Sequence, residues 1–120
     1  MISAGDVDEN GVLEIVASGK LTVDDYSQVR PGLEVALEQH GCLKFLVELR
    51  DFEGFEAGAL WEDIRFDIKY RDQIGRTAIV GDNKWEEIGT RISKLFFSSE
   101  LRFFYDDQKE AALNWINEVD

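Results

Sequence analysis

Apolar and polar positions along the first forty residues alternate in two ways, and the change from one to the other marks the first elements. Ile2 to Asp8 and Val12 to Gly19 read as the arms of a hairpin, with Leu13, Ile15 and Ala17 alternating against Glu14 and Ser18. Asn10-Gly11 between the arms predicts a tight type I′ turn, because both residues accept positive φ. From Thr22, a predicted N-cap followed by Asp24 and Asp25, the period lengthens to that of a helix, with Tyr26, Val29, Leu33, Ala36 and Leu37 on one stripe. Pro31 interrupts the stripe and predicts a kink or a restart, and His40-Gly41 supplies a stop.

Leu43, Phe45, Val47 and Leu49 alternate with Lys44, Leu46, Glu48 and Arg50 as a strand whose second face is partly apolar. A loop from Asp51 to Glu56 then leads to a helix over about 57–71, with Leu60, Trp61, Ile64 and Ile68 on one face and Phe66 and Tyr70 on another. Thr77 to Val80 is a short apolar run suited to a strand buried on both faces. Asn83 and Glu86 have the spacing of a capping box, ahead of a stripe of Trp85, Ile88, Ile92, Leu95 and Phe96. Leu101 to Tyr105 is the last strand, and Asp107 and Glu110 open a final helix with Ala112, Trp115, Ile116 and Val119 inward. The pattern predicts one α/β domain over 1–120, in the order β-β-α-β-α-β-α-β-α. Its sheet is expected to be mixed and mostly parallel, with about five strands and four helices.

Composition narrows the functions open to such a domain. Twenty-five Asp and Glu against thirteen Lys and Arg give a net charge of -12, so nucleic acid and anionic membrane surfaces are not expected partners. The N-terminus reaches polar Ser3 and Asp6 at once, and no apolar run approaches a membrane span, which predicts a cytoplasmic protein without membrane insertion. The single Cys42 fits that compartment and predicts a small buried thiol.

Candidate chemistry is sparse. Asp24, Asp25, Glu53, Glu56, Asp82, Asn83, Asp106 and Asp107 sit where strands hand over to helices, the usual ligand end of such a sheet, and there they repel phosphate. No glycine-rich phosphate loop is present. Glu48, Asp51, Glu53 and Glu56 are the densest candidates for a hard cation, but ordinary solvated loop carboxylates are the commoner source of such a run, and no metal or other cofactor is expected. His40 is the sole imidazole, at a helix end that favours its charged form, and no nucleophile motif flanks any serine, so no catalytic residue is assigned. Aromatic residues exceed what one core face accommodates. Phe66, Tyr70, Phe97 and Phe104 are either part of a core with unusually large residues, the default for such side chains, or an aromatic surface or pocket for a protein partner or a second copy.

Gly19-Lys20-Leu21-Thr22 through Asp25-Tyr26, the Leu46 to Leu49 strand, Ala78 to Asp82 with Lys84-Trp85, and Phe103-Phe104-Tyr105 with Glu110-Ala111 to Trp115-Ile116 together carry a resemblance. On these residues the sequence resembles the SpoIIAA-like proteins, whose fold is shared with the STAS domains of anti-sigma-factor antagonists. In the antagonist branch a serine at the start of the helix after the central strand is phosphorylated to control partner binding. The matching stretch is Glu56-Ala57-Gly58, which has no serine, so the resemblance implies the fold and a binding or regulatory role without that switch. Lipid carriers of the same broad fold suggest the alternative, a small apolar ligand. Clustered carboxylates with shifted pKa values in a cleft would be needed for a third reading, an enzyme.

Overall fold

The computed structural model describes residues 1–58, 65, 69, 70, 72–82 and 101–118. Five strands form one sheet in the order of the chain: β1 (Ile2–Val7), β2 (Val12–Leu21), β3 (Leu43–Phe55), β4 (Ile74–Gly81) and β5 (Leu101–Tyr105). The sheet is mixed, with β1 antiparallel to β2 and the three later pairings parallel. Helix α1 (Val23–His40) joins β2 to β3, and helix α2 (Lys109–Ile116) follows β5 after a 3-10 turn at Asp106–Gln108. Two of the four expected helices are thus described in full. The expected helix over 57–71 contributes Ala57, Gly58, Arg65 and Lys69, all helical, and the expected capping box and stripe over 83–96 lie outside the described residues.

Alternation along the strands divides the core into two layers. Leu13, Ile15, Leu43 and Phe45 face α1 and meet Val29, Leu33 and Leu37, three of the residues on its predicted stripe. Val12, Leu46, Ala78, Val80 and Phe104 face the other way, against Ala112 and Ile116 of α2. β3 is the strand apolar on both faces, as a central strand between two helical layers must be. Leu43 and Leu46, on opposite faces, are both completely buried.

Several local expectations are corrected. The hairpin turn is shifted by one residue. Gly11 N–H donates to the Asp8 carbonyl, Asp8 Oδ1 accepts from the Asn10 and Val12 amides, and only Gly11 has positive φ. Glu9-Asn10 is therefore the centre of a type I turn followed by a glycine in the left-handed region, and the Asp8 side chain selects it over the type I′ alternative. Pro31 neither ends nor restarts α1, which runs unbroken for 18 residues. Pro31, Gly32 and Ser27 are all exposed, so water can serve the carbonyl the proline leaves without a donor.

The expected loop from Asp51 to Glu56 is instead a continuation of β3 to Phe55, paired with β2 through two register shifts. Asp51 (φ 48°), Gly54 (φ 117°) and Gly19 (φ 62°) absorb the irregularity, which is why the alternation breaks there while the pairing continues. Cys42 is exposed, not buried. It belongs to the turn opened by Gly41, and the first side chain to enter the core is Leu43.

Candidate functional site

At the carboxyl end of β2 and β3 the chain is built for close contact. Thr22 caps α1 with a reciprocal pair: its Oγ1 accepts from the Asp25 amide at 3.1 Å, and Asp25 Oδ2 accepts from the Thr22 amide at 2.9 Å. The backbone hydrogen bond from Thr22 holds the Asp25 carboxyl below its usual 3.8, against a smaller opposing effect of burial. Beside this cap, the Glu56 amide donates to the Leu21 carbonyl at 2.8 Å and steers the chain out of β3 into helical Ala57 and Gly58.

A Cβ on Gly58 would lie 2.8 Å from Val23 Cγ2, so a larger residue there would have to push the exposed Val23 side chain aside. Glu56, Ala57 and Gly58 are exposed, and so is Val23 at 42%. Beneath them Ala17, Leu21 and Phe52 are buried, with Tyr26, Leu49, Phe55 and Phe103 packed around. Phe52 and Phe55 meet edge to face at 5.1 Å between ring centroids. Exposed Val23, Ala57 and Gly58 thus form a small apolar stretch at this end of the sheet, with exposed Asp24, Glu53 and Glu56 beside them in the chain or nearby.

A second constellation lies on the α2 face. Glu48, only 8% exposed, receives Lys109 Nζ at 2.6 Å on one oxygen and Arg50 Nη2 at 2.6 Å on the other, and Lys109 also reaches Glu14 at 3.0 Å. Burial opposes the Glu48 charge, but hydrogen bonds from Lys109 and Arg50 outweigh it and leave the carboxyl below 4.5. The hydrogen bonds from Lys109 to Glu48 and Glu14 hold its ammonium above 10.5. The cluster thus favours the charged form of both Glu48 and Lys109.

The carboxylates singled out for a cation do not converge. Glu48 belongs to the ion cluster, whereas Asp51, Glu53 and Glu56 are exposed at the end of β3, and no group of three or more metal-ligating side chains forms among the described residues. Asp82 is exposed at the end of β4. His40 and Cys42 are exposed in the turn between α1 and β3.

Nor do the two described members of the aromatic surplus share a surface. Tyr70 packs part-buried against the α1 layer, with Lys69 over its ring at 5.2 Å, and its hydroxyl is the main influence holding the Glu34 carboxyl below its usual value. Phe104 is buried in the α2 layer, 5.9 Å from the Trp115 ring. Phe66 and Phe97 lie outside the described residues. Sequence reasoning missed Lys109, and one signal could have flagged it: a lysine at the start of a helix opposes the dipole and wants a carboxylate nearby.

The chain matches the SpoIIAA-like family model over residues 12–117. Among solved structures it is similar to the crystal structure of an uncharacterized protein of the DUF3478 family with a SpoIIAA-like fold, from Shewanella loihica PV-4. The two are 31% identical with a TM-score of 0.80, over 96% of this chain and 93% of that one. No curated protein matches.

Proposed function

The chain belongs to the SpoIIAA-like family, and from that premise we propose that it is a non-enzymatic binding or regulatory domain working through protein–protein contact at the carboxyl end of β2 and β3. The observation that carries this reading is the close approach of Gly58 to exposed Val23, where the chain leaves β3 past the Phe52–Phe55 pair. Two helix starts approach each other closely there and present small side chains, so a partner could bind without ordering long rotamer-rich groups. In the antagonist branch a phosphoserine changes the charge at this helix start. Ala57 has no hydroxyl to modify, so binding at this surface is constitutive with respect to that modification.

A photo-activatable cross-linking residue placed at position 57 tests the reading in the native cell, with the same residue at exposed Val35 as the control. Position 57 is expected to give a discrete cross-linked species that position 35 does not. Equal smears from both positions would count against it.

A further inference from the structure

Strand β1 is the outer strand of the sheet, and the hydrogen bonds at its start determine which of its backbone groups face outward. The Met1 amine donates to the Ser18 carbonyl at 2.7 Å, and the Ser18 amide donates back to the Met1 carbonyl at 2.8 Å. Bonded and non-bonded pairs alternate along an antiparallel ladder. With Ile2 opposite Ala17, Ser3 opposite Val16 and Ala4 opposite Ile15, Ser3 is the next bonded pair. The N–H and C=O groups of Ile2 and Ala4 therefore point away from β2, and among the described residues no strand pairs with them.

Sheets usually blunt such an edge with lysine, proline or an early bulge. Ile2-Ser3-Ala4-Gly5 carries no charge and no proline, and the bulge comes only after Ala4. The open length is flanked by acid. Exposed Asp6 and Glu9 follow it, and Asp24 and Asp25 stand at the start of α1, with Asp25 3.5 Å from the Met1 amine. A second copy of a chain with net charge -12 would meet repulsion here.

We infer that the outer edge of β1 accepts an extended, lysine- or arginine-bearing segment of a partner protein as an added strand. Main-chain hydrogen bonds to Ile2 and Ala4 supply the pairing, and Asp6, Glu9 and Asp24 select for positive charge. The inference extends the contact proposed above, because β1 begins at the same end of the sheet as Thr22 and Val23.

The test uses a blocked peptide of alternating lysine and valine, about eight residues long to match a typical strand, and a glutamate-valine counterpart. Amide hydrogen exchange at Ile2 and Ala4 is followed by NMR in the full chain. The lysine peptide is expected to slow both amides at least about tenfold, and the glutamate peptide to leave them unchanged. Ala4→Pro removes an outward N–H without touching the β2 ladder, and it should abolish the protection. A paired Asp6→Lys and Glu9→Lys exchange should weaken the lysine peptide about tenfold, and this arm decides the matter if Ala4→Pro fails to fold.

Equal binding to the Ala4→Pro protein would overturn the inference by reducing it to charge attraction. So would Ile2 and Ala4 amides already protected in the dilute free protein, or protection that grows with protein concentration alone, which would make a second copy the occupant. None of these outcomes affects cross-linking from position 57, so the edge and the contact surface stand or fall separately.

Discussion

Glu48 lies in the middle of β3 at 8% exposure and keeps its charge because two cations reach it. Lys109 is half-exposed and can return to water, so Glu48→Ala should cost about 2 kcal/mol of stability, less than a fully desolvated pair would. Because the folded-state pKa of Glu48 is depressed, its contribution is present above the unfolded value and is lost as pH falls through the folded one. Urea titrations between about pH 6 and pH 3 should therefore show stability falling with acid, with a shallower fall in Glu48→Gln. An equally steep fall in that variant would assign the dependence to other carboxylates, Asp25 first among them. None of this was legible in the sequence, where Glu48 stood with Asp51, Glu53 and Glu56 as a candidate for a hard cation or an ordinary solvated carboxylate. Its partner is supplied by a helix at the far end of the chain, and only the parallel pairing of β3 with β4 and β4 with β5 brings the two together. Cys42 misled for a related reason: turn and strand differ by one residue at Leu43, and one residue decides which side of the backbone a side chain takes.

Elements with a long regular period were read well, and their ends were not. The stripe of α1 and the alternation of β3 through Glu48 are both present as expected, since each buries a row of large side chains that nothing else could cover. Pro31 looked like a boundary because a proline disfavours helix locally, yet the tertiary contacts of Val29, Leu33 and Leu37 on either side hold the helix together. Pro31→Ala should therefore raise stability, by about 1–2 kcal/mol after its own cost to the unfolded state is counted, and thermal unfolding checks this. The ribbon at the end of β3 was illegible because its alternation is broken by register shifts. At Gly54, with φ of 117°, alanine should cost more than 1 kcal/mol. At Asp51, with φ of 48°, glycine should gain up to about 1 kcal/mol. Paired urea denaturation curves would show the opposite signs.

Across the whole molecule, the sheet separates what the sequence had grouped. Tyr70 and Phe104 were open to either a core or a shared aromatic surface, and strand and helix faces assign them to opposite core layers, a division invisible until crossovers are placed. That Ala57 and Gly58 open a helix after the central strand was legible in the sequence; the close approach of Gly58 to Val23 was not. The net charge of -12 acts at this scale too. Raising salt from about 0.05 M to 0.5 M should shift the urea midpoint upward by screening self-repulsion, despite weakening the partly exposed Arg30–Glu34 pair. The proposed partner contact at Val23, Ala57 and Gly58 is tested most directly by quantitative affinity purification from the native cell with wild-type and Ala57→Arg proteins side by side. At least one protein should be retained by the wild type and depleted about tenfold or more from the variant, whose exposed substitution leaves the fold intact; indistinguishable retained sets would contradict the account.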